Sequence, residues 1–132
     1  MKEEPPFAVH LIFNGNCQTA FNYYQTCFGG ELTVQTLADT PHGREMSKQM
    51  RSFVICATLR NEYCNLVGTD LTDEDRIVTG NNISIMINCH SITERTKLIG
   101  KLTGRNFCSM QNTNPLVNII DRYNIHWILS VR

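Results

Sequence analysis

The stretch over residues 13–31, FNGNCQTAFNYYQTCFGGE, decides the fold. Its apolar residues recur at the spacing of one face of an α-helix, so the pattern predicts a helix over residues 17–28. Asn16 is a suitable N-cap for that helix, and the two glycines that follow it are a typical stop. Strands are expected on either side, over residues 8–13 and 31–37.

The same pattern occurs a second time further along the chain. Residues 82–88 are strand-like, and Ser91 and Glu94 suit the capping box of a second helix that runs to about Thr103. Another strand is expected over residues 106–110. Each copy closes with two more strands, which are residues 53–60 and 63–69 in the first copy and residues 116–120 and 125–131 in the second.

This repetition predicts an internal duplication within a single domain, residues 1–132. The first module covers residues 7–70 and the second covers residues 81–132, with an acidic and polar linker over residues 71–80 between them. Residues 38–51 contain proline, glycine and several charges, and they are expected to form an exposed loop in the first module. Each module therefore reads strand, helix, strand, strand, strand.

Composition excludes several classes of protein. The 132 residues carry 12 Lys and Arg against 12 Asp and Glu, so the net charge is zero and the basic surface of a nucleic-acid-binding protein is missing. The longest apolar run, residues 53–57, is too short to cross a membrane, and the acidic, proline-containing start is unlike a signal peptide. We therefore expect a cytoplasmic protein whose six cysteines are reduced thiols.

Two blocks of the chain resemble the PhnB-like proteins of the vicinal oxygen chelate superfamily, which also contains glyoxalase I and bleomycin-resistance proteins. The opening block is residues 13–31, and the closing block, residues 121–127 (DRYNIHW), is similar to that group's Asp-Arg-Phe-Gly-x-x-Trp turn and strand. Asn124 stands where relatives usually have glycine, and asparagine tolerates a left-handed backbone best after glycine. A second departure is the short segment 112–116, where relatives carry a longer aromatic-containing loop.

The resemblance implies an α+β fold in which tandem βαβββ modules form curled sheets around a cup, with helices on the outside, and it implies a homodimer. Enzymatic members hold a divalent metal with up to four ligands inside the cup. The four equivalent positions here are His10, Val67, Ser84 and Ile128, of which only one is a good metal ligand. We therefore expect no metal and no cofactor, although a His10 and His126 pair that recruits zinc or nickel stays open as an alternative.

Side-chain alternation along the strands predicts which residues face the cup. The turn at residues 61–62 sets Cys56 opposite Val67 and Thr58 opposite Asn65. One face is uniformly apolar and suits packing under a helix; it carries Ile55, Ala57, Leu59, Cys64 and Leu66. The other face is mixed and is assigned to the cup; it carries Val54, Cys56, Thr58, Asn65, Val67 and Thr69.

The same alternation in the other strands completes the candidate site. No Asp or Glu falls on a strand position assigned to the cup, and Asn118 is an exception because it is a polar residue expected on the helix-facing side. The expected ligand-binding residues are His10, Cys56, Asn65, Met86 and His126.

Other polar and aromatic residues receive structural interpretations. Asp121 is expected to brace its own turn, and Trp127 is expected in the core. The acidic stretch over residues 70–75 is interpreted as a solvated linker. Cys56 could act as a nucleophile if a nearby histidine stabilised its thiolate, although a small side chain that lines the site is the simpler interpretation.

The leading functional hypothesis is a metal-free protein of the PhnB-like group that binds a small organic ligand, with no catalytic residues and no nucleic-acid or membrane partner. The alternative is an enzyme, namely a metal-dependent lyase, isomerase or dioxygenase in which the metal polarises vicinal oxygens of the substrate. A third hypothesis is a dimeric partner-binding domain whose cup is vestigial.

Overall fold

The computed structural model describes residues 8–72, 76–104 and 114–131, and within them it has a mixed α+β architecture with two open sheets. The helices are α1 (Cys17–Phe28), α2 (Lys48–Arg51) and α3 (Ile92–Thr103). The strands are β1 (Val9–Ile12), β2 (Glu31–Thr36), β3 (Val54–Arg60), β4 (Asn65–Thr69), β5 (Ile85–Cys89), β6 (Leu116–Ile120) and β7 (His126–Val131). The chain separates into two compact units, Met1–Gln25 with Gly29–Ile77, and Thr26–Phe28 with Val78–Arg132.

These bounds confirm most of the predicted elements. Helix α1 and strand β6 begin and end where the sequence pattern predicts, and most other strands agree within two residues. Strand β5 is the largest departure, since it begins at Ile85 instead of residue 82. The strand predicted over residues 106–110 lies outside the described residues.

The first unit is built on a four-stranded sheet in the order β1-β4-β3-β2, in which β1 runs parallel to β4 and the other pairs are antiparallel. One face of this sheet packs under α1, whose apolar stripe is fully buried. Gly68 shows how close the packing is, because a Cβ atom at that position would clash with the ring of Phe21. The predicted apolar, helix-facing side of the ribbon is therefore confirmed at Ala57, Leu59 and Leu66, all fully buried.

The predicted register of the β3–β4 ribbon is wrong by two residues. Thr58 lies opposite Val67, and Arg60 lies opposite Asn65. The reason is the turn, because the side chain of Asn61 accepts hydrogen bonds from the backbone N–H groups of Tyr63 (2.8 Å) and Cys64 (3.1 Å) and so adds two residues to it. Since the shift is even, each side chain stays on its predicted face.

Two residues predicted on the mixed face of the ribbon are buried instead. Val54 is fully buried, and Thr69 is nearly so, with its hydroxyl donating to the Val54 carbonyl oxygen at 3.2 Å. The pairing of β2 with β3 is irregular here, because Thr36 lies opposite Val54 and Gln35 opposite Cys56, which leaves Ile55 as an extra residue. A bulge of this kind interrupts the alternation on which the prediction depends.

Residues 38–51 are mostly exposed, as predicted, but they are not an irregular loop throughout. They contain two short 3₁₀ turns, Leu37–Asp39 and Gly43–Glu45, followed by α2. Gly43 is buried, and a Cβ atom there would lie 2.8 Å from the Cα atom of Ala38, so the segment folds back on itself closely.

Asp70 holds the start of α1 in place of the predicted N-cap. Asn16 makes no side-chain cap hydrogen bond. Instead, Oδ1 of Asp70 accepts from the backbone N–H groups of Gly15 (2.9 Å) and Cys17 (3.0 Å). Its Oδ2 accepts from the Val54 N–H at 2.8 Å. Asp70 is 6% exposed, so the prediction that the acidic stretch is solvated from residue 70 onward is wrong at that residue.

The second unit is built on a three-stranded sheet in the order β5-β7-β6, with β5 parallel to β7 and β6 antiparallel to it. Its buried face carries Ile87, Trp127 and Leu129, which supports the predicted core position of Trp127. Phe28, which belongs to this unit, places its ring centroid 5.1 Å from that of Trp127. Helix α3 buries Leu98, Ile99, Leu102 and the charged Arg95.

Asp121 braces the turn between β6 and β7, as predicted. Its Oδ1 accepts from the backbone N–H groups of Tyr123 (2.7 Å) and Ile125 (3.1 Å). Its Oδ2 accepts from the indole N–H of Trp127 at 2.8 Å. Asn124 adopts a φ of 65° in this turn, which is the left-handed conformation expected at the position where relatives carry glycine.

Candidate functional site

Three of the five predicted ligand-binding residues share the open face of the first sheet. His10 lies beside Val67, and Val67 lies opposite Thr58. Cys56 and Asn65 stand two residues away from Thr58 and Val67 along the same strands, so alternation places them on the same side. His10 and Cys56 are exposed, and Asn65 is half-buried.

This face also carries polar residues that the sequence analysis did not select. A depression of about 200 Å³ is lined by Glu31, Thr33, Thr58 and Arg60. Arg60 lies opposite Glu31 on one side and opposite Asn65 on the other. The prediction that no carboxylate falls on this face is therefore wrong, because the alternation of strand β2 was not used to assign Glu31 to a face.

Asn65 carries an unsatisfied polar atom. Among the described residues, its side-chain Oδ1 is buried and has no hydrogen-bond partner. A buried acceptor without a donor costs about 1–3 kcal/mol of stability.

The other two predicted residues, Met86 and His126, share the open face of the second sheet. Met86 lies beside Ile128, and His126 lies opposite Ile120. Asn118 lies opposite Ile128 and is exposed, so it belongs to this open face and not to the helix-facing side where it was expected. The pairing of Ile120 with His126 sets this arrangement, because it places Asn118 on the same face as His126 and Ile128.

A depression of about 460 Å³ lies where the chain enters β5 and β7. His126 lines it and Met86 does not. Three of its polar residues, Asn81, Ser84 and Asn118, were not among the predicted ligand-binding residues. The full lining is Asn81, Ser84, Asn118, Ile119, Ile120, His126 and Trp127.

The predicted residues are thus brought together in two groups, one on each sheet. His10, Cys56 and Asn65 belong to the first unit, whereas Met86 and His126 belong to the second. That the two groups line one cup stays a prediction.

The five described cysteines all carry free thiols. The pKa of Cys17 is raised to about 12, mainly by burial and to a smaller extent by the charges of Asp70 and Cys56. Burial also raises the pKa of Cys64 to about 11, although its hydrogen bond with Asn61 lowers it in part. The exposed Cys56 has its Sγ 3.9 Å from the hydroxyl of Thr58.

The donors at the metal positions implied by the resemblance do not suit a divalent cation. Val67 and Ile128 are aliphatic, Ser84 offers a hydroxyl, and only His10 is an imidazole. Within residues 8–72, 76–104 and 114–131, no three His, Cys, Asp or Glu side chains gather where they could hold a metal ion. No helix in these same ranges is long and apolar enough to span a membrane.

No protein-family model matches this chain, and no curated protein matches it. The solved structures that are similar along nearly the full length of both chains include the following three. Protein PA1353 of Pseudomonas aeruginosa has a TM-score of 0.71 at 21% identity, covering 98% of each chain. The PhnB protein of Bacillus cereus has a TM-score of 0.66 at 16% identity, covering 97% of this chain and 100% of its own.

The third structure, the hypothetical protein SA1046 of Staphylococcus aureus, has a TM-score of 0.60 at 8% identity, covering 99% of this chain and 96% of its own. Identities this low carry information about the fold alone. The mixed α+β architecture, with two curled and unclosed sheets and PhnB among its structural neighbours, is consistent with the glyoxalase/bleomycin-resistance fold.

Proposed function

We propose that this protein binds a small organic ligand on the open faces of its sheets, without a catalytic metal, as a cytoplasmic homodimer of the PhnB-like group in the vicinal oxygen chelate superfamily. The observation that supports this most is the depression of about 460 Å³ on the second sheet, where His126 stands among amide and hydroxyl side chains. A concave, partly apolar surface with a few convergent hydrogen-bonding groups is typical of a ligand site.

The first sheet supports the same proposal with different chemistry. Its open face combines an arginine, a carboxylate and two threonine hydroxyls around the depression at Thr58. Asn65, opposite Arg60, adds a half-buried amide side chain to this face. A ligand at this face needs shape and hydrogen bonds, which the chain supplies, and needs no Lewis acid.

A thermal-shift screen against a diverse library of small organic compounds tests the proposal. A compound bound only by the folded protein raises the melting temperature, by about 5–10 °C at a hundred times its dissociation constant for a domain of this size. The same hits are then measured on His126→Ala and Asn65→Ala, which remove side chains from the second and first open faces. Lys97→Ala, an exposed substitution on α3, is the matched control.

We expect each hit to lose its shift in one of the two site variants and to keep it in Lys97→Ala. A library without a single hit contradicts the proposal, and so do hits that all three variants bind as the unaltered protein does.

Elemental analysis after incubation with nickel, zinc and iron separates binding from the metal-dependent alternative. We expect sub-stoichiometric metal. Stoichiometric metal that is lost in His10→Ala or in His126→Ala would overturn the metal-free proposal and favour the lyase, isomerase or dioxygenase.

Light scattering during size-exclusion chromatography tests the homodimer.

A further inference from the structure

Among the described residues, the lining of the depression on the second sheet contains no Asp, Glu, Lys or Arg side chain, and we infer that it binds an uncharged planar group such as a carboxamide. This inference rests on the proposed function and names the class of ligand for one of its two faces. The polar lining consists of two side-chain amides, one hydroxyl and one imidazole, contributed by Asn81, Asn118, Ser84 and His126.

The geometry of the sheet brings these groups together. His126 opens the central strand β7, with Ile120 directly opposite on β6. Asn118 lies two residues before Ile120 in β6 and on the same face, so it is a diagonal neighbour of His126 at roughly 7–8 Å between Cα atoms. On the other side of β7, Ser84 directly precedes Ile85, the partner of Trp127, and so reaches the same end of the sheet.

Two charged side chains in the turn before β7, Asp121 and Arg122, are directed elsewhere. Both carboxylate oxygens of Asp121 accept hydrogen bonds from its own turn and from the Trp127 indole. The guanidinium of Arg122 reaches the end of α3, where a Cβ atom on Gly104 would lie 3.4 Å from its Nη2. A charged ligand in the depression would therefore lose water without gaining a counter-charge from the described residues, which is unfavourable.

An uncharged amide matches what the lining offers. Each asparagine side chain provides both a donor and an acceptor, and an uncharged imidazole provides one of each. Ile120, which is 56% exposed, provides an apolar surface beside them for the body of the ligand. The complementary ligand has a planar group that donates and accepts hydrogen bonds, attached to an apolar or aromatic body.

Benzamide, benzoate and benzamidine form a matched set of probes, because they share one size and shape and differ in charge. Each is titrated into the full-length ¹⁵N-labelled protein at pH 8, and dissociation constants are taken from the backbone amide resonances of residues 118–120. We expect benzamide to bind about tenfold more tightly than either charged probe, which corresponds to one hydrogen-bonding group left unpaired.

Asn118→Asp introduces a charge with almost no change in shape. It should weaken benzamide about tenfold and improve benzamidine relative to benzoate. Asn88→Asp is the control, since Asn88 is exposed on the same open face but outside the depression. Asn118→Leu, which removes hydrogen bonding without adding charge, should also weaken benzamide.

Equal or tighter binding of benzoate or benzamidine by the unaltered protein overturns the inference, as does unchanged benzamide binding in Asn118→Asp. Absence of any perturbation at residues 118–120 by all three probes overturns it as well. The proposed function is judged separately, because library hits that depend on Asn65 and the first sheet leave it standing.

Discussion

Asp70 and Asp121 are buried carboxylates with the same pattern of bonds, since each accepts two backbone N–H groups on Oδ1 and one further N–H group on Oδ2. They differ in the distance along the sequence between the carboxylate and its donors. The bonds of Asp70 span 55, 53 and 16 residues of sequence. Those of Asp121 span 2, 4 and 6 residues. One carboxylate therefore assembles a unit from distant segments, and the other shapes a single hairpin.

The difference also separates what each residue holds. Asp70 ties the entry of α1 to the beginning of β3 and the end of β4, so the helix and two strands share one acceptor. Asp121 ties its turn to Trp127, which fixes the end of β7 that carries His126. Loss of Asp70 should disturb the first unit as a whole, whereas loss of Asp121 should disturb the candidate site of the second unit.

The largest expected effect is that of Asp70→Ala. Removal of an ionised acceptor leaves buried N–H groups without a partner, and we expect the free energy of unfolding to fall by about 3–5 kcal/mol. Asp121→Ala should cost less, about 2–3 kcal/mol, because the N–H groups of the half-buried Tyr123 and Ile125 can bind water and only the Trp127 indole N–H is left buried, whereas Asp70→Ala leaves two buried N–H groups unpaired. Urea unfolding measures both.

Asp70→Asn keeps one acceptor oxygen and should fold with an intermediate loss, which covers the case in which the alanine variant does not fold. Glu62→Ala removes an exposed carboxylate and should change stability by less than about 0.5 kcal/mol. Equal losses for Asp70→Ala and Asp121→Ala would contradict the contrast drawn between the two.

Gly68→Ala tests whether packing under α1 matters as much as the bonds of Asp70. Its Cβ atom would lie 2.7 Å from Cζ of Phe21 and 3.1 Å from Sγ of Cys17, so we expect a loss of about 1–3 kcal/mol in urea unfolding. Phe21→Leu in the same chain should recover part of the loss by making room. Gly80→Ala is the matched control, because Gly80 is exposed and its added Cβ would only approach Asn82 at 3.4 Å.

The Cys17 thiol gives the first unit a pH dependence at alkaline pH. Its pKa is raised from 9.0 to about 12 in the folded protein, first by burial and then by the charge of Asp70. The unfolded chain therefore loses this proton at lower pH than the folded chain, and stability falls as the pH rises from about 9 towards 12. The contribution to the slope approaches about 1.4 kcal/mol per pH unit in that window.

Urea unfolding at pH 8.5 and 10.5 measures the slope, which Cys17→Ala should reduce. Leu66→Ala is the control, since it truncates the same buried face without removing a titrating group and should lower stability equally at both pH values. A slope that is the same in Cys17→Ala and in the unaltered protein would contradict the assignment.

The smallest effect is expected in the turn that Asp121 braces. Asn124→Ala should cost about 1 kcal/mol because alanine disfavours a φ of 65°, whereas Asn124→Gly should be neutral or slightly stabilising. Thermal unfolding of the two variants decides the sign. Asn82→Ala, at an exposed position without positive φ, should leave the melting temperature unchanged; a matching loss there would show that the asparagine side chain matters and not its backbone conformation.

The features that could be predicted from the sequence depend on contacts between neighbouring residues. Those that could not be predicted depend on contacts between residues far apart in the sequence. Both ends of helix α1 were predicted correctly because its 3.6-residue periodicity is present in twelve consecutive residues. The bracing of the turn by Asp121 and the left-handed backbone at Asn124 were predicted because the residues that determine a turn lie within a few positions of one another. The hydrogen bonds of Asp70 were not predicted because their donors lie 16 to 55 residues away in the sequence. The residues next to Asp70 give no indication of these donors.

The candidate site shows how strand register limits prediction. The β3–β4 error of two residues preserved the faces of Cys56 and Asn65, whereas Asn118 was expected on the helix-facing side although its pairing with Ile128 places it on the open face. The alternation of polar and apolar residues gave no indication of the bulge at Ile55. Because of this bulge, Val54 is buried although it was expected on the mixed face. Asn81 was not predicted as a lining residue because it lies before the start of β5, and side-chain alternation assigns faces only within a strand.

The three donors of Asp70 also bear on how the first unit forms. The amides of Gly15, Cys17 and Val54 can be satisfied together only after the parallel pairing of β1 with β4 has closed a loop of more than fifty residues. Such non-local closure slows folding. In hydrogen–deuterium exchange, these three amides should open as one cooperative group, at the rate of global unfolding of the unit and not by fraying of the helix end.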